Sequence, residues 1–258
     1  MKATIKVLFR QSGLNLRIIK SNKHLFRYFK ELRKWKSLGG KVSRLLPILD
    51  DYEEKAGQSE GHYFHQDLRV AHLVYLDSPD RHIDIGSRID GFVAHLASYR
   101  KVEVVDIRPL EKSAHENITF LQADLTQDFT IERADSVSCL HAIEHFGLGR
   151  YTDNIDPNGH IAGLRNIASL VKEKGRLYLS FPIGAKDQVC FNAHRIFHPQ
   201  SVLSWKPIQD EFDLINFDFV DDNGTLHVQK AVEDVPVGTQ YGCGIYTFRK
   251  RQASVKCR

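Results

Sequence analysis

The fold class of this chain is indicated by one segment, His82-Ile83-Asp84-Ile85-Gly86-Ser87-Arg88-Ile89-Asp90-Gly91. Its first four residues, with the apolar Ile83 and Ile85, predict a short buried strand, and residues 86–91 predict a turn. A glycine after such a strand lets the backbone approach a ligand closely, and a helix that follows offers free N–H groups to an anion. Because neither Gly-x-Gly-x-x-Gly nor the Gly-Lys-Ser/Thr of a phosphate loop is present, the turn alone does not identify its ligand.

Strand and helix patterns alternate along the chain on the C-terminal side of this turn. Apolar runs bounded by turn residues predict strands, and apolar residues three or four apart predict helices. The predicted strands cover 102–105, 118–122, 134–140 and 176–181, the helices cover 92–99 and 162–172, and an antiparallel pair covers 214–220 and 244–249. The alternation predicts an α/β protein with a Rossmann-like, doubly wound, mostly parallel sheet that ends in an antiparallel C-terminal strand pair.

The composition is that of a globular protein. Of the 258 residues, 42% are hydrophobic and 26% charged, and these values exclude a disordered or low-complexity chain. No apolar run reaches the roughly 18 residues of a membrane span, and the N-terminus lacks the apolar stretch of a signal peptide. Four cysteines without a Cys-x-x-Cys pair favour a reduced, cytoplasmic protein.

Basic residues are concentrated at the start of the chain, where residues 1–44 carry 13 Lys or Arg and one acid. A short strand is predicted over 3–9, followed by a basic amphipathic helix that Ser21 or Asn22 caps and that runs to about Ser37. Docking of its Leu/Phe stripe on the main domain is the favoured interpretation, and peripheral contact of residues 21–38 with an anionic membrane is the alternative. The predicted organisation is a basic, largely helical N-terminal extension over 1–60, a main domain over 61–250 and a tail over 251–258.

Acidic residues stand at the ends of the second and third predicted strands. Asp106 lies 20 residues after Gly86, and a carboxylate at this place can accept hydrogen bonds from both hydroxyls of a ribose. Asp124 follows the third strand, where it can accept from the exocyclic amine of a base while Leu125 packs on the ring. A solvated acid at a strand end remains the alternative for Asp106.

Taken together, these motifs resemble class I S-adenosylmethionine-dependent methyltransferases. The segments that carry the likeness are Asp-x-Gly-x-x-x-x-Gly at 84–91, the acid at 106, Ala-Asp-Leu at 123–125, and the stretches 138–146 and 170–182. The resemblance covers about residues 61–250. Within it, 61–67 and 82–88 are similar to a bacterial family of unknown function that has this fold and is associated with surface-polysaccharide synthesis. One departure is that Ser87-Arg88-Ile89-Asp90 replaces the usual Gly-x-Gly of the loop.

The resemblance implies S-adenosylmethionine as the cofactor and assigns residues to each part of it. The methionine part would be faced by Gly86, Ser87 and Gly91, with Asp84 steadying the loop. The ribose would be held by Asp106, the adenine would be contacted by Asp124 and Leu125, and His141, after Leu140, would lie near the methyl group.

Candidate bases follow the fourth and fifth strands. Glu144 and His145 follow the fourth strand, His194 follows the fifth, and His65 is a further candidate. An oxygen acceptor needs a base within hydrogen-bond reach, and histidine is suited to this role near neutral pH. The glycine-containing loop over 147–160 is predicted to be a functional lid. The implied activity is methylation of a small-molecule or glycan-linked acceptor.

Other functions match the sequence less well. A non-catalytic cofactor-binding or scaffold protein that retains the fold is the main alternative, because the loop over 87–90 is unusual. A nicotinamide dehydrogenase would need the three-glycine fingerprint. Nucleic acid is not favoured as a partner, since only the basic extension supports it and the Asn/Asp-Pro-Pro-Tyr/Phe tetrapeptide of base-amino methyltransferases is absent. His141-Ala142-Ile143-Glu144-His145 matches an inverted zinc-protease motif, but it adjoins a strand instead of lying within a long helix, so no metal site is predicted.

Overall fold

The computed structural model describes residues 22–54, 56–57, 59–127 and 129–253. The strand predicted over 3–9 lies outside these residues, as do residues 254–258 of the predicted tail. The chain divides into two compact units, with the boundary between residues 58 and 59. None of the helices in the described ranges combines the length and the apolar character that a bilayer-spanning segment needs.

The first unit contains a basic helix. A 3₁₀ turn over Asn22–His24 leads into α1, Leu25–Ser37, which covers the range that the sequence predicts. The helix ends before Gly39, whose φ of 84° is a left-handed conformation that favours glycine. No side chain of α1 is buried, and Phe26 and Trp35 are 79% and 56% exposed. The helix therefore presents apolar and basic side chains to solvent together.

The second unit is built on a mostly parallel sheet. The strands of the described residues are β1 (His82–Ile85), β2 (Val102–Asp106), β3 (Ile118–Gln122), β4 (Ala134–Leu140), β5 (Val171–Ile183), β6 (Gln188–Cys190), β7 (His194–Ile196), β8 (Phe212–Val220), β9 (Leu226–His227) and β10 (Gly242–Lys250). Eight of them form one sheet in the order β3-β2-β1-β4-β5-β10-β8-β9, and β6 and β7 form a separate ribbon. β1 to β5 pair in parallel, whereas β10 is antiparallel to both β5 and β8. The predicted antiparallel C-terminal pair is therefore confirmed.

Helices cover both faces of the sheet. They are α2 (His62–Asp77), α3 (Ala94–Ala97), α4 (Gly159–Leu170), α5 (Ser201–Ser204) and α6 (Lys206–Glu211). On one face, Val70 and Val74 of α2 belong to the same buried cluster as Val104 of β2. On the other face, Leu164 of α4 shares a second cluster with Val105 of β2. Successive residues of β2 thus face opposite layers, and the predicted doubly wound, Rossmann-like fold is confirmed.

Some element boundaries differ from those predicted. The helix predicted over 92–99 is a π-helical turn at Ile89–Val93 followed by the short α3, because Gly91 has a non-helical φ of −123° and ψ of −110°. The helix predicted over 162–172 is α4, which starts earlier and gives way to β5 at Val171, where pairing with Ala134 begins. β5 is accordingly longer than the strand predicted over 176–181. The sequence pattern did not indicate α2, because its buried face includes the polar residues Gln66 and Asp67.

Candidate functional site

A cavity of about 470 Å³ lies at the carboxyl ends of β1, β2 and β4. Its wall includes Gly86 after β1, Asp106 at the end of β2, Leu125 after β3 and His141 after β4. Ligands of doubly wound sheets bind at this edge, and the volume lies within the range of about 300–1,000 Å³ for small-molecule sites. We call it the main cavity.

The turn after β1 is held from beneath by the buried carboxyl group of Asp84. One oxygen, Oδ1, accepts hydrogen bonds from the hydroxyls of Ser87 at 2.7 Å and of Ser138 at 2.5 Å, and Oδ2 accepts from the Ser87 backbone N–H at 3.2 Å. Burial raises the pKa of Asp84 to about 7, against the opposing effect of these hydrogen bonds. Asp84 does not line the main cavity, and its hydrogen bonds to Ser87 hold the turn.

Gly86 occupies a position that no larger residue fits easily. Its φ is 70°, and a Cβ there would lie 2.9 Å from the Cβ of Ala142. Ser87 and Gly91, which the sequence assigned to the cofactor with Gly86, are not on the wall of the main cavity. The Ser87 hydroxyl donates a hydrogen bond to Asp84. A Cβ on Gly91 would lie 2.6 Å from Oδ2 of Asp67. Of the three, Gly86 is the residue that the turn presents to the cavity.

Asp106 presents its carboxylate to the main cavity while paired with an arginine two residues later. Arg108 donates from Nε to Oδ1 at 3.0 Å and from Nη2 to Oδ2 at 2.6 Å, and its backbone N–H donates to Oδ1 at 2.8 Å. The guanidinium also lies 4.7 Å from the ring centroid of Tyr151. Nothing in the sequence pattern predicted this arginine. A ligand hydroxyl that binds Asp106 must therefore share the carboxylate with Arg108 or displace it.

The segment after β3 forms an apolar part of the wall beside a fixed carboxylate. Oδ1 of Asp124 accepts from the backbone N–H of Thr126 at 2.8 Å and from its hydroxyl at 2.7 Å. Leu125 is 3% exposed, and its carbonyl accepts from Asn166 Nδ2 of α4 at 2.7 Å. Both predicted residues line the cavity, so a flat ring against Leu125 would lie within reach of Asp124.

A buried histidine–carboxylate cluster follows β4. Nδ1 of His141 is 2.9 Å from Oε1 of Glu144, and Nε2 of His145 is 3.6 Å from the same oxygen. Nδ1 of His145 is 2.7 Å from the carbonyl oxygen of Ala193. Burial lowers the pKa of His145. For His141, burial also acts to lower the pKa, but Cys243 and Glu144 outweigh it and raise that pKa well above its usual range.

The outer part of the main cavity is aromatic and basic. Tyr63, Tyr151, Tyr241 and Arg150 line it together with the predicted base His194, and the ring centroids of His194 and Tyr241 are 5.3 Å apart. These tyrosines come from distant segments, and no local pattern indicated them. The further candidate base His65 is not on the wall. The cavity therefore brings together His145, Glu144 and His194 of the predicted bases.

The loop predicted as a lid is fastened to the body of the unit by Arg195. This side chain donates from Nη1 to the carbonyl of Phe146 at 2.6 Å and from Nη2 to that of Pro157 at 3.2 Å, so it holds both ends of the loop. Gly147 N donates to Asp153 Oδ2 at 2.7 Å. Arg150, Tyr151 and Asp153 of the loop line the main cavity. The loop thus forms one wall of the main cavity.

A buried histidine at the start of β1 contacts β4 and should control acid stability. Nδ1 and Nε2 of His82 lie 2.7 Å and 3.0 Å from the hydroxyls of Ser136 and Ser138, and burial lowers its pKa to about 3. Between pH 6.5 and 3 the unfolded chain therefore binds a proton that the native His82 does not, and native stability falls as pH falls. Asp84 has a raised pKa of about 7, so between pH 7 and 4 its native carboxyl group binds a proton that the unfolded chain does not. Its contribution to native stability therefore increases as pH falls.

Replacement of His82 by asparagine should remove the loss of stability that His82 causes as pH falls. The opposite effect of Asp84 on stability should remain. When pH is lowered from 7 to 5, the unfolding free energy of the variant should therefore rise by about 2 kcal/mol relative to that of the wild type. Urea denaturation of both proteins at the two pH values measures this difference. Equal pH dependence in the two proteins would contradict the prediction.

Solved structures share this fold at low sequence identity. The N-methyltransferase NodS of Bradyrhizobium japonicum, in complex with S-adenosylhomocysteine, has a TM-score of 0.50 and 14% identity over 74% of this chain and 89% of its own. The 1,6-didemethyltoxoflavin-N1-methyltransferase of Burkholderia thailandensis, also with S-adenosylhomocysteine, has a TM-score of 0.51 and 16% identity over 72% and 79%. The cyclase SpnF has a TM-score of 0.53 and 12% identity over 76% and 86%. The likeness shows a methyltransferase-type fold, and SpnF shows that the fold also hosts another reaction.

Sequence comparison adds a partial match. The model of a family described as Caenorhabditis protein of unknown function, DUF268, matches residues 101–205. No curated protein sequence matches this chain. The match spans β2 to α5 and includes the loop that lines the cavity. The narrower resemblance to a bacterial family stays a prediction.

Proposed function

We propose that this protein is an S-adenosylmethionine-dependent methyltransferase that acts on a small-molecule or glycan-linked acceptor. The observation that carries the proposal is the order of groups along one cavity wall. Gly86 stands at the end of β1, Asp106 at the end of β2, and Asp124 with Leu125 after β3. This order provides a close backbone approach, a carboxylate for two hydroxyls and an apolar surface with an acceptor, which are the groups that a nucleoside with a polar tail requires.

The residues present fit the cofactor. Gly86 has no side chain, and a Cβ there would be too close to Ala142. Its backbone would bind the methionine part of the cofactor. Asp106 would hold the ribose hydroxyls, and Leu125 with Asp124 would contact the adenine. When bound, the cofactor supplies an electrophilic methyl group on a sulfonium. The main task of the chain is then to align donor and acceptor, which can lower the barrier by several kcal/mol, up to about 10.

The acceptor would lie in the outer part of the main cavity. Three tyrosines there offer flat surfaces with hydroxyl groups, a composition that suits sugars and ring systems alike. His145 and His194 line the same region, and a hydroxyl acceptor would lose its proton to one of them. We favour His145, because the Ala193 carbonyl holds its Nδ1 proton and leaves Nε2 as the basic nitrogen. Glu144 orients the neighbouring His141 through Oε1.

Replacement of His145 by glutamine should reduce methyl transfer by about 10²–10⁴-fold with little change in cofactor affinity. The measurement is transfer of a labelled methyl group to a panel of nucleotide sugars and glycans. His65→Gln is the matched control, since His65 lies off the cavity wall, and it should retain the wild-type rate. Equal rates in the two variants would exclude His145 as the base.

Calorimetric titration of the purified protein tests the proposed function. S-adenosylmethionine and S-adenosylhomocysteine should each bind at one site per chain, and NADH should not. Absence of binding by either member of the first pair would overturn the proposal. Normal cofactor binding with no transfer to any acceptor of the panel would instead favour the alternative, a non-catalytic cofactor-binding or scaffold protein.

Two further parts of the proposal concern the setting of the reaction. We expect the acceptor to belong to surface-polysaccharide synthesis and the protein to be cytoplasmic, in peripheral contact with membrane. The support for the contact is α1, in which the exposed Phe26 and Trp35 accompany Arg27, Lys30, Arg33, Lys34 and Lys36. Sedimentation with phosphatidylserine vesicles should recover the protein, phosphatidylcholine vesicles should not, and failure with both would exclude the contact.

A further inference from the structure

Three potential metal ligands from distant parts of the sequence meet behind the wall of the main cavity. His62 at the start of α2, His141 after β4 and Cys243 on β10 each offer one ligand atom, and these atoms lie within 4.8 Å of one another. Cys243 is fully buried, and His141 is 8% exposed. Within the described part of the chain, this is the one such group of three or more His, Cys, Asp or Glu side chains. His62 and Cys243 do not line the main cavity, whereas His141 does, so the group adjoins the proposed nucleoside site through His141.

The hydrogen bonds of His141 leave one ring nitrogen unused. Nδ1 is 2.9 Å from Oε1 of the buried Glu144, so this nitrogen donates to the carboxylate. Nε2 is buried and has no hydrogen-bond partner in the protein. An unsatisfied buried polar atom is costly and rare. Histidines that bind metals have this arrangement, in which a carboxylate or carbonyl holds one nitrogen and fixes the ring while the other binds the ion.

One ring nitrogen of His62 is also held by a hydrogen-bond acceptor, as in His141. Its Nε2 is 3.1 Å from the carbonyl oxygen of Tyr241, and donation there leaves Nδ1 with a lone pair. The rings of His62 and His141 are stacked, with centroids 5.4 Å apart and planes inclined by 13°. Ligand atoms around a tetrahedral zinc ion are about 3.5 Å apart, given bonds of about 2.0–2.3 Å. The three ligand atoms must therefore move closer together when an ion binds, and His62, half-buried at the start of α2, is the least buried of the three side chains.

We propose that His62, His141 and Cys243 form a zinc-binding site with three protein ligands. Imidazole and thiolate ligands together favour Zn²⁺ over the hard cations Mg²⁺ and Ca²⁺. A proton on Nε2 of His141 and the thiol proton of Cys243 are released when the ion binds. The site joins α2, the segment after β4 and β10, and it fixes the imidazole that the main cavity presents. It does not depend on the proposed methyl transfer.

Zinc titration of the metal-stripped full-length protein tests the site. The wild type should bind one Zn²⁺ per chain in competition with a chromophoric chelator, and Co²⁺ in its place should give the absorption of a tetrahedral thiolate complex. Cys243→Ser should lose the thiolate absorption, and His62→Gln should lose zinc binding while leaving the core unchanged. Glu144→Gln, which removes the charge behind His141, should weaken zinc binding by about 10–100-fold.

Cys190→Ser is the matched control, because Cys190 is an exposed thiol outside the group. It should bind zinc like the wild type. Loss of the thiolate absorption in Cys190→Ser with retention in Cys243→Ser would overturn the proposal, and so would equal zinc affinity of His62→Gln and the wild type. The readout is metal binding, so failure of methyl transfer leaves this outcome unaffected.

Discussion

Replacement of Asp106 by alanine is expected to weaken binding of S-adenosylhomocysteine at least about 100-fold. Hydrogen bonds to a charged group contribute about 1.5–3 kcal/mol each, and this carboxylate is placed to accept two from a ribose. Two such bonds correspond to a loss of at least about 3 kcal/mol, or two orders of magnitude in Kd. Calorimetric titration of the variant and the wild type under the same conditions measures the change.

Glu103→Ala is the matched control for this prediction. Glu103 lies on the same strand and also holds an arginine with both carboxylate oxygens, at 2.6 Å to Nε and 2.6 Å to Nη2 of Arg81, but it does not line the main cavity. The control should bind the ligand like the wild type. If Asp106→Ala also retains wild-type affinity, the carboxylate has no part in ligand binding, and the nucleoside arrangement proposed for this wall is wrong.

Replacement of Gly147 by alanine should destabilise the protein by about 3–5 kcal/mol and release the loop that forms one wall of the cavity. Gly147 has a φ of 77°, and a Cβ there would lie 2.1 Å from the carbonyl oxygen of Asp156. Because that oxygen belongs to the backbone, a side-chain rotation cannot relieve the clash. Urea denaturation measures the loss of stability, and limited proteolysis detects cleavage within 147–158.

Gly224→Ala is the control that separates the steric clash with Asp156 from the cost of placing a non-glycine residue at positive φ. Gly224 has a similar φ of 82°, but the atom nearest to its added Cβ is 3.2 Å away. This control should lose only about 1 kcal/mol, the cost of a left-handed non-glycine residue. Equal losses in the two variants would show that the contact between Gly147 and Asp156 is not what closes the loop.

The sequence predicted β1, β3 and β4 with the bounds that the structure has, because each contains apolar residues between segments with polar residues or glycine. It was less successful where tertiary pairing overrides local preference. Lys172, Glu173 and Lys174 favour a helix by composition, yet the chain leaves α4 at Leu170 to pair with β4. Such a change depends on a partner strand far away in sequence, since Val171 pairs with Ala134, and cannot be read locally.

The sequence indicated the residues of the candidate site that lie at strand ends, but not those that distant segments of the chain contribute. Residues at strand ends were found because their position in the alternation is itself the signal, and Gly86, Asp106, Asp124, Leu125 and His141 all line the cavity. Arg108, Tyr63 and Tyr241 were missed, since nothing in their local sequence distinguishes them from surface residues. The group of His62, His141 and Cys243 was missed for the same reason, because three chain segments far apart in sequence bring it together.

The sheet order has a consequence for synthesis of the protein on the ribosome. β10 is the last strand in sequence among the described residues, yet it is inserted between β5 and β8. Until residues 242–250 have emerged, β5 and β8 each carry an unpaired edge, and such edges invite pairing with other chains. The buried surfaces of β5 can therefore be completed only after residues 242–250 have left the ribosome, so the nascent chain depends on chaperones or on rapid closure during that interval.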